Sequence, residues 1–388
     1  MIRSIMFFIL GLIATQTPAT DKVKVGFVTT LSGPGAAIGI DVRDGFNLLV
    51  KMNSGKLGNL PAQVIVADDA TNPEQGKQAV DRMLKLEKVD IMTGIVFSNV
   101  LFASLPAIFE ARIPYLSPNT GPEDFAGAKC NPNFYAVAWQ NEDLSAAMGK
   151  WMTDRGFKSA VLIAPNYPGG RETLNGVKRS YKGPAQEVYT KLGQLDYGAE
   201  LASIRAAKPD ALYMFLPGGM GINFVKQFVA AGMSQDIRLV MTGVTADEDI
   251  LKPLGSLMLG TFNSSHWAHD LDNEANRRFV AAFEKEHGRL PSMFAAQAYD
   301  TALLIDSAIR DAKGRIENPA AFRRALEAAN FKSVRGPFKF NRNHYPIHDI
   351  YLRVVVQDSK GRITNKTVGT IAKQFADPFA DKCSMPKL

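Results

Sequence analysis

The chain has 388 residues and is basic, with 45 lysines and arginines against 38 aspartates and glutamates and a formal net charge of +7. The opposing charges are interspersed, with no Lys/Arg block and no basic–aromatic interleaving, which argues against nucleic acid as a partner but leaves an anionic ligand compatible through long-range attraction. No stretch approaches the roughly 20 uninterrupted apolar residues that span a bilayer, and the length suits two lobes better than one core.

Residues 1–20, MIRSIMFFILGLIATQTPAT, carry one Arg, a short apolar run and then small and polar residues. This pattern is that of a secretory signal peptide, cleaved after Ala14 or Ala19, and it predicts export to the periplasm. With no Cys near the cleavage region, a lipid anchor is not expected. The pattern then predicts a strand over 23–30, a Gly- and Ala-rich segment over 31–38 and a helix over 39–53. A strand over 63–68 and a helix over 73–87, with Pro73 in its first turn, follow.

The stretch 89–120 reads as one βαβ unit: strand 90–93, a turn at Gly94, helix 98–111, strand 114–116 and a small-residue loop over 117–120. Ser98 stands where a helix N-cap belongs, and Pro106 should kink or split that helix. In a parallel sheet the strand carboxyl ends and helix amino ends share an edge, so 94–99 and 117–120 should line one crevice with free amides suited to an anion. A plain capping role for Ser98 would explain the same residue without a ligand.

Strands are expected at 134–138, 160–164, 185–189, 211–215 and 239–242, alternating with helices at 143–155, from 169, 198–207 and 219–231. Such alternation means α/β architecture with doubly wound parallel sheets. Helices 273–287, 293–311 and 319–329 have no strand between them, so they most simply return to cover the first sheet. A β-rich tail, 336–340 and 349–356, closes the order. Two cysteines in an exported chain, Cys130 and Cys383, predict a disulfide; the rival reading, a catalytic thiol, lacks a base placed beside either.

Several short motifs occur in order: Val23–Phe27 leading to Leu31-Ser32-Gly33, Asp68-Asp69 before Pro73, Val89-Asp90 with Gly94 and Ser98, Pro114 with Ser117-Pro118, and Tyr299-Asp300 within a helix. Together they resemble the leucine/isoleucine/valine-binding-protein family, the substrate-binding subunits of ABC importers. The resemblance implies a type I periplasmic binding protein: two α/β lobes, joined by three crossovers near residues 139–141, 264–267 and 335–338, that close on a ligand. It places 21–139 and 267–335 in lobe 1, on the ligand-carboxylate side, and 140–266 and 336–360 in lobe 2, leaving 361–388 as a tail held by the disulfide. It implies a small-carboxylate ligand, a membrane permease as partner, a monomer, and no cofactor, metal or nucleic acid.

By position, Ser98, Asn119 and Thr120 match the carboxylate grip, Tyr167 an aromatic near the ligand body, and Gly219, with Gly218, a turn closing over it. Where amino-acid binders carry an acid for the ligand ammonium, the chain has Val244; Asp247 or Glu248 would serve only with an insertion. The passages around Cys130–Phe134, His348–Arg353 and Thr364–Thr370 resemble the branch serving aromatic acids, of benzoate or phenylpropenoid type. Phe97, Tyr115, Trp139 and Trp267 are aromatic candidates for the pocket. The alternatives are an amino-acid binder of the same family and a ligand-sensing receptor module. An enzyme reading is weaker, because Gly218-Gly219-Met220-Gly221 does not supply G-x-G-x-x-G after the first strand, and the His266/His269 and His344/His348 pairs lack a third zinc ligand.

Overall fold

A computed structural model describes residues 21–385, so the expected signal peptide lies outside the described residues. The first sheet contains β1 (Val23–Thr29), β2 (Lys56–Leu57), β3 (Leu60–Asp68), β4 (Ile91–Thr93), β5 (Tyr115–Ser117) and β6 (Phe134–Ala136), in the order β2-β3-β1-β4-β5-β6. All its neighbours are parallel except the β2–β3 hairpin. β4, β5 and β6 are buried throughout, as strands covered by helices on both faces must be.

The second sheet contains β7 (Ala160–Pro165), β8 (Ala185–Thr190), β9 (Ala211–Met214), β10 (Arg238–Thr242), β11 (Phe262–Ser265), β12 (Lys339–Phe340), β13 (Pro346–Gln357) and β14 (Ile363–Phe375). Its order is β12-β13-β11-β10-β9-β7-β8, with β14 paired to β13. The architecture is therefore the expected pair of α/β lobes. The helix Met293–Asp311 packs along the helix Ala36–Met52, returning late chain to the first lobe. No helix among the described residues is long and apolar enough to cross a membrane.

Three local expectations need correction. Phe97, not Ser98, is the N-cap of the helix Ser98–Glu110, and that helix is not split by Pro106. Pro106 is exposed, so the carbonyl one turn back that loses its helical donor is on the solvent side. The segment 361–388 is not all tail: β14 adds a 13-residue strand to the second sheet, and only the chain beyond it runs back to Cys130. Its side chains are mostly exposed or half-buried, so it lacks the apolar alternation that marks a strand.

Irregular chain leaves β6 at 137–142, leaves β11 at 266–273 and enters β12 at 329–338, making three passages. Arg335, in the third passage, is buried and donates to Asp300 Oδ2 at 3.0 Å and to the carbonyls of Ala138 at 2.9 Å and Val137 at 2.6 Å in the first. Asp300, on the helix Met293–Asp311, also accepts from the Ser333 hydroxyl at 2.5 Å and the Val334 N–H at 3.0 Å. Burial pushes the Asp300 carboxyl up and the Arg335 guanidinium down, each partly countered by the other. Such a pair adds little over an apolar substitute, yet removing one partner strands the other charge. Asp300→Ala should therefore destabilise the chain by about 3–5 kcal/mol in denaturant titration, and a change below about 1 kcal/mol would show that the guanidinium is solvated some other way.

Cys130 and Cys383 form a disulfide, with Cα atoms 5.6 Å apart. Thiol titration of the denatured, unreduced protein should find essentially no free thiol; two reactive thiols would contradict this pairing.

Candidate functional site

The carboxyl ends of both sheets face one cleft, where α/β sheets place their ligands. From the first lobe, the residues after β4 bring Val96, Phe97 and Ser98, those after β5 bring Asn119 and Thr120, and those after β6 bring Trp139 and Asn141. From the second, the residues after β7 bring Tyr167 and Gly169, those after β9 bring Phe215 and Pro217, and the end of β10 brings Thr242 and Val244. They surround a narrow cavity of about 30 Å³, to which Ile38, Leu144, Ser145, Thr173 and Phe294 add the remaining lining.

At one end the polar groups form a network. Ser98 Oγ and Thr120 Oγ1 are 2.6 Å apart. The Asn141 amide donates to Ser98 Oγ at 3.4 Å, and its Oδ1 accepts from the Gly121 N–H at 2.8 Å and the Thr120 hydroxyl at 3.3 Å. Asn119 is fixed from both sides: its amide donates to the Val96 carbonyl at 2.6 Å while its Oδ1 accepts from Gln297 at 2.9 Å. The helix beginning at Ser98 has no side-chain cap, so its first-turn amides have no helical or capping acceptor. Because the Ser98 hydroxyl bonds across to Thr120 and caps no amide, it belongs to the crevice.

The rest of the lining is apolar and aromatic. Phe97 and Tyr167 meet across the lobes with ring centroids 6.0 Å apart. None of the residues lining the cavity is an aspartate, glutamate, lysine or arginine. Asp247 faces elsewhere: it accepts from the Glu248 and Met293 N–H groups and lies 3.5 Å from Arg353. Glu248 is bonded to Thr364 and Asn365. Tyr115 stacks on Phe134 in the first-lobe core, and Trp267 donates to Asn276, so neither reaches the cavity.

Gly219 stands outside the lining. Its N–H donates to the Pro34 carbonyl at 2.8 Å, a bond that joins second lobe to first. Gly218 beside it has φ of 63°, and a Cβ there would lie 2.6 Å from the same carbonyl, so the latch needs glycine. Asn141, Gly169 and Thr242 went unrecognised in the sequence. A Cβ on Gly169 would sit 2.8 Å from Ser98 Oγ, which shows how closely the second lobe approaches the polar end. The histidines do not gather as the two sequence pairs: His269 is bonded to Thr364 and His344 contacts Glu327, while His266 packs on Trp139 with its ring 5.8 Å from that of His348.

One carboxyl lies just behind the network. Glu172 accepts from the Asn141 amide at 2.7 Å, and burial, with Glu142 and Glu123 nearby, raises it to about 8. It is thus mostly neutral at pH 7, and the polar end carries no anion to repel another. In the unfolded chain glutamate titrates near ~4.3, so the folded chain holds an extra proton between that value and about 8, and stability falls as pH rises through this window. Buried His266 and His348 are held neutral and act in the opposite sense only below roughly pH 6.5. Between about pH 7 and about pH 8, Glu172→Gln should therefore flatten the decline in unfolding free energy by up to about 1.4 kcal/mol per pH unit. An unchanged slope would mean Glu172 is already ionised.

Comparison with known proteins places this geometry. The periplasmic binding protein family matches residues 22–362. A solute-binding protein of an ABC transporter from R. palustris, solved with benzoate, is 30% identical, with a TM-score of 0.89 covering 94% of this chain and 100% of that one. Another from R. palustris, solved with 4-hydroxybenzoate, is 25% identical, with a TM-score of 0.85 covering 91% and 98%. The Leu/Ile/Val-binding protein homolog 6 of Brucella melitensis is 25% identical over 376 residues, 94% of this chain and 95% of the relative. With this match along nearly its whole described length and two α/β lobes of the type I arrangement around one cleft, the chain belongs to the periplasmic binding protein family.

Proposed function

We propose that the chain is the extracytoplasmic solute-binding subunit of an ABC importer and captures an aromatic monocarboxylate by hinged closure of its lobes. In this reading the first 20 residues direct export to the periplasm, 21–139 with 267–335 and 140–266 with the chain from 336 move as two bodies, and the closed monomer delivers its ligand to a membrane permease. The observation that carries it is the cavity itself, with neutral hydrogen-bond donors at one end, aromatic and aliphatic walls elsewhere, and no ionised side chain in the lining.

Ser98, Thr120 and Asn141, with the first-turn amides of the Ser98 helix, grip the carboxylate. Charge-assisted bonds of this kind are about twice as strong as neutral ones and need no cationic side chain. Phe97 and Tyr167 flank the ring, which gains ~25 cal/mol per Å² of apolar surface removed from water. An amino acid fits less well: its ammonium would face Val244, while Asp247 is already committed to Arg353 and backbone amides, and an unpaired buried ion costs several kcal/mol. The benzoate-bound relatives support the same ligand class. Ligand bridging both lobes favours the closed state by its differential affinity, and no chemical step is involved.

Calorimetry with benzoate, benzamide and leucine tests this. Benzoate should bind and the uncharged amide should not compete, with Ser98→Ala weakening benzoate by roughly 10- to 150-fold, the loss of one hydrogen bond to a charged group. Equal binding of benzoate and benzamide would refute carboxylate recognition. Stabilisation by leucine alone would return the site to amino acids.

A further inference from the structure

The second-lobe wall of the cavity contains a hydroxyl group with no partner. Thr242, the last residue of β10, is 2% exposed and lines the cavity, yet its Oγ1 is buried without a hydrogen bond. It precedes the short helix Gly243–Ala246 but makes no capping bond to it. Behind it, Tyr213 in β9 is fully buried and its hydroxyl is also without a partner. That hydroxyl is close enough to Ser145 and Thr242 to feel both, although it bonds to neither with good geometry. Ser145, the third member, lines the cavity and donates its proton to the Glu142 carbonyl at 2.9 Å, which leaves its oxygen lone pairs open.

We propose that Thr242 and Ser145, backed by Tyr213, form a subsite that receives a ring hydroxyl of the bound acid, so that the preferred ligand is a hydroxylated aromatic carboxylate. This rests on the aromatic-acid reading above and adds to it the substituent. Buried hydroxyls in folded proteins are nearly always satisfied; Tyr213 is within reach of Thr242 Oγ1, but a bare hydrocarbon ring set against this wall would leave the Thr242 proton without an acceptor. The proton count closes when a phenol is present. Tyr213 donates to Thr242 Oγ1, Thr242 donates to the phenol oxygen, and the phenol donates to Ser145 Oγ, whose own proton stays on Glu142. On the first-lobe side of the cavity Ser98 and Thr120 already satisfy one another. The unmet demand therefore sits on the second-lobe side of the cleft.

The test is calorimetry of the purified protein with benzoate and with 2-, 3- and 4-hydroxybenzoate, on the wild type and on Thr242→Val, Thr242→Ser and Tyr213→Phe. At least one hydroxybenzoate should bind about 10-fold or more tightly than benzoate, the effect of a hydrogen bond that satisfies a buried partner. Thr242→Val should bring that ratio close to one, Thr242→Ser should keep it, and Tyr213→Phe should lower it. The proposal is overturned if benzoate binds the wild type as well as every hydroxybenzoate, or if Thr242→Val leaves the ratio intact. The wild-type ratio decides the matter even where a variant fails to fold. Binding of benzoate without discrimination would sink this subsite alone, whereas binding of none of the four acids would sink the aromatic-acid reading with it.

Discussion

The buried guanidinium of Arg335 is the constraint on which the two-lobed arrangement depends. Two crossovers of irregular chain lie side by side in the interior, where unpaired carbonyls and amides would be costly. Arg335 answers the Val137 and Ala138 carbonyls of the first, and the Asp300 carboxylate that balances it also collects the Ser333 hydroxyl and the Val334 amide of the third. Arg353 does comparable service at the second, donating to the Trp267 carbonyl at 3.2 Å and to Asn263 at 2.8 Å. These bonds fix the crossovers against the long helix Met293–Asp311 and against β13, so bending is left to the short connections between fixed points.

The same economy of charge governs the cleft. A lysine or arginine in an empty cleft would need its own counter-ion or would pay for its desolvation each time the lobes closed. Hydroxyls and amides avoid this, because they can satisfy one another and then turn outward: the Ser98–Thr120 bond is such an internal arrangement. Neutral Glu172 completes it by anchoring Asn141 without adding negative charge next to the proposed anion site.

How much of this was legible in sequence depends on which residues carry a local signal. The parallel sheets were readable because strands such as β4 and β7 are apolar throughout and alternate with helices of regular length. Ser98 and Thr120 stand just beyond strand ends, where an open α/β sheet puts its ligands, so topology marks them, whereas Tyr167 was picked out by the family resemblance. Asn141 and Gly169 looked like connector residues; their importance comes from the approach of one lobe to the other, and no local pattern encodes that distance. Thr242 closes an ordinary apolar strand, and only the lack of a partner sets it apart. The Ser98 cap was misjudged by one residue, since helix propensity does not distinguish a hydroxyl turned back on its own amides from one turned across to a neighbouring loop. β14 was missed because an edge strand with exposed side chains on both sides resembles a polar tail.

The disulfide has a mechanical meaning once β14 is counted in the second sheet. Only residues 376–382 separate the end of that strand from Cys383, which is bonded to Cys130 in the first lobe. Asp377 is held there by Asn343, which also bonds the Ala126 carbonyl, while Phe379 lies under the Arg179 guanidinium of the second lobe. The lobes are thus spanned by four covalent paths, the fourth of them a tether of about 25 Å at full stretch. A tether of this length sets an upper stop on how far the lobes can separate along that side and thins the population of widely open states. If the lobes close on a ligand as proposed, less conformational entropy is then lost on closing, and reducing the bond would widen the amplitude of the hinge.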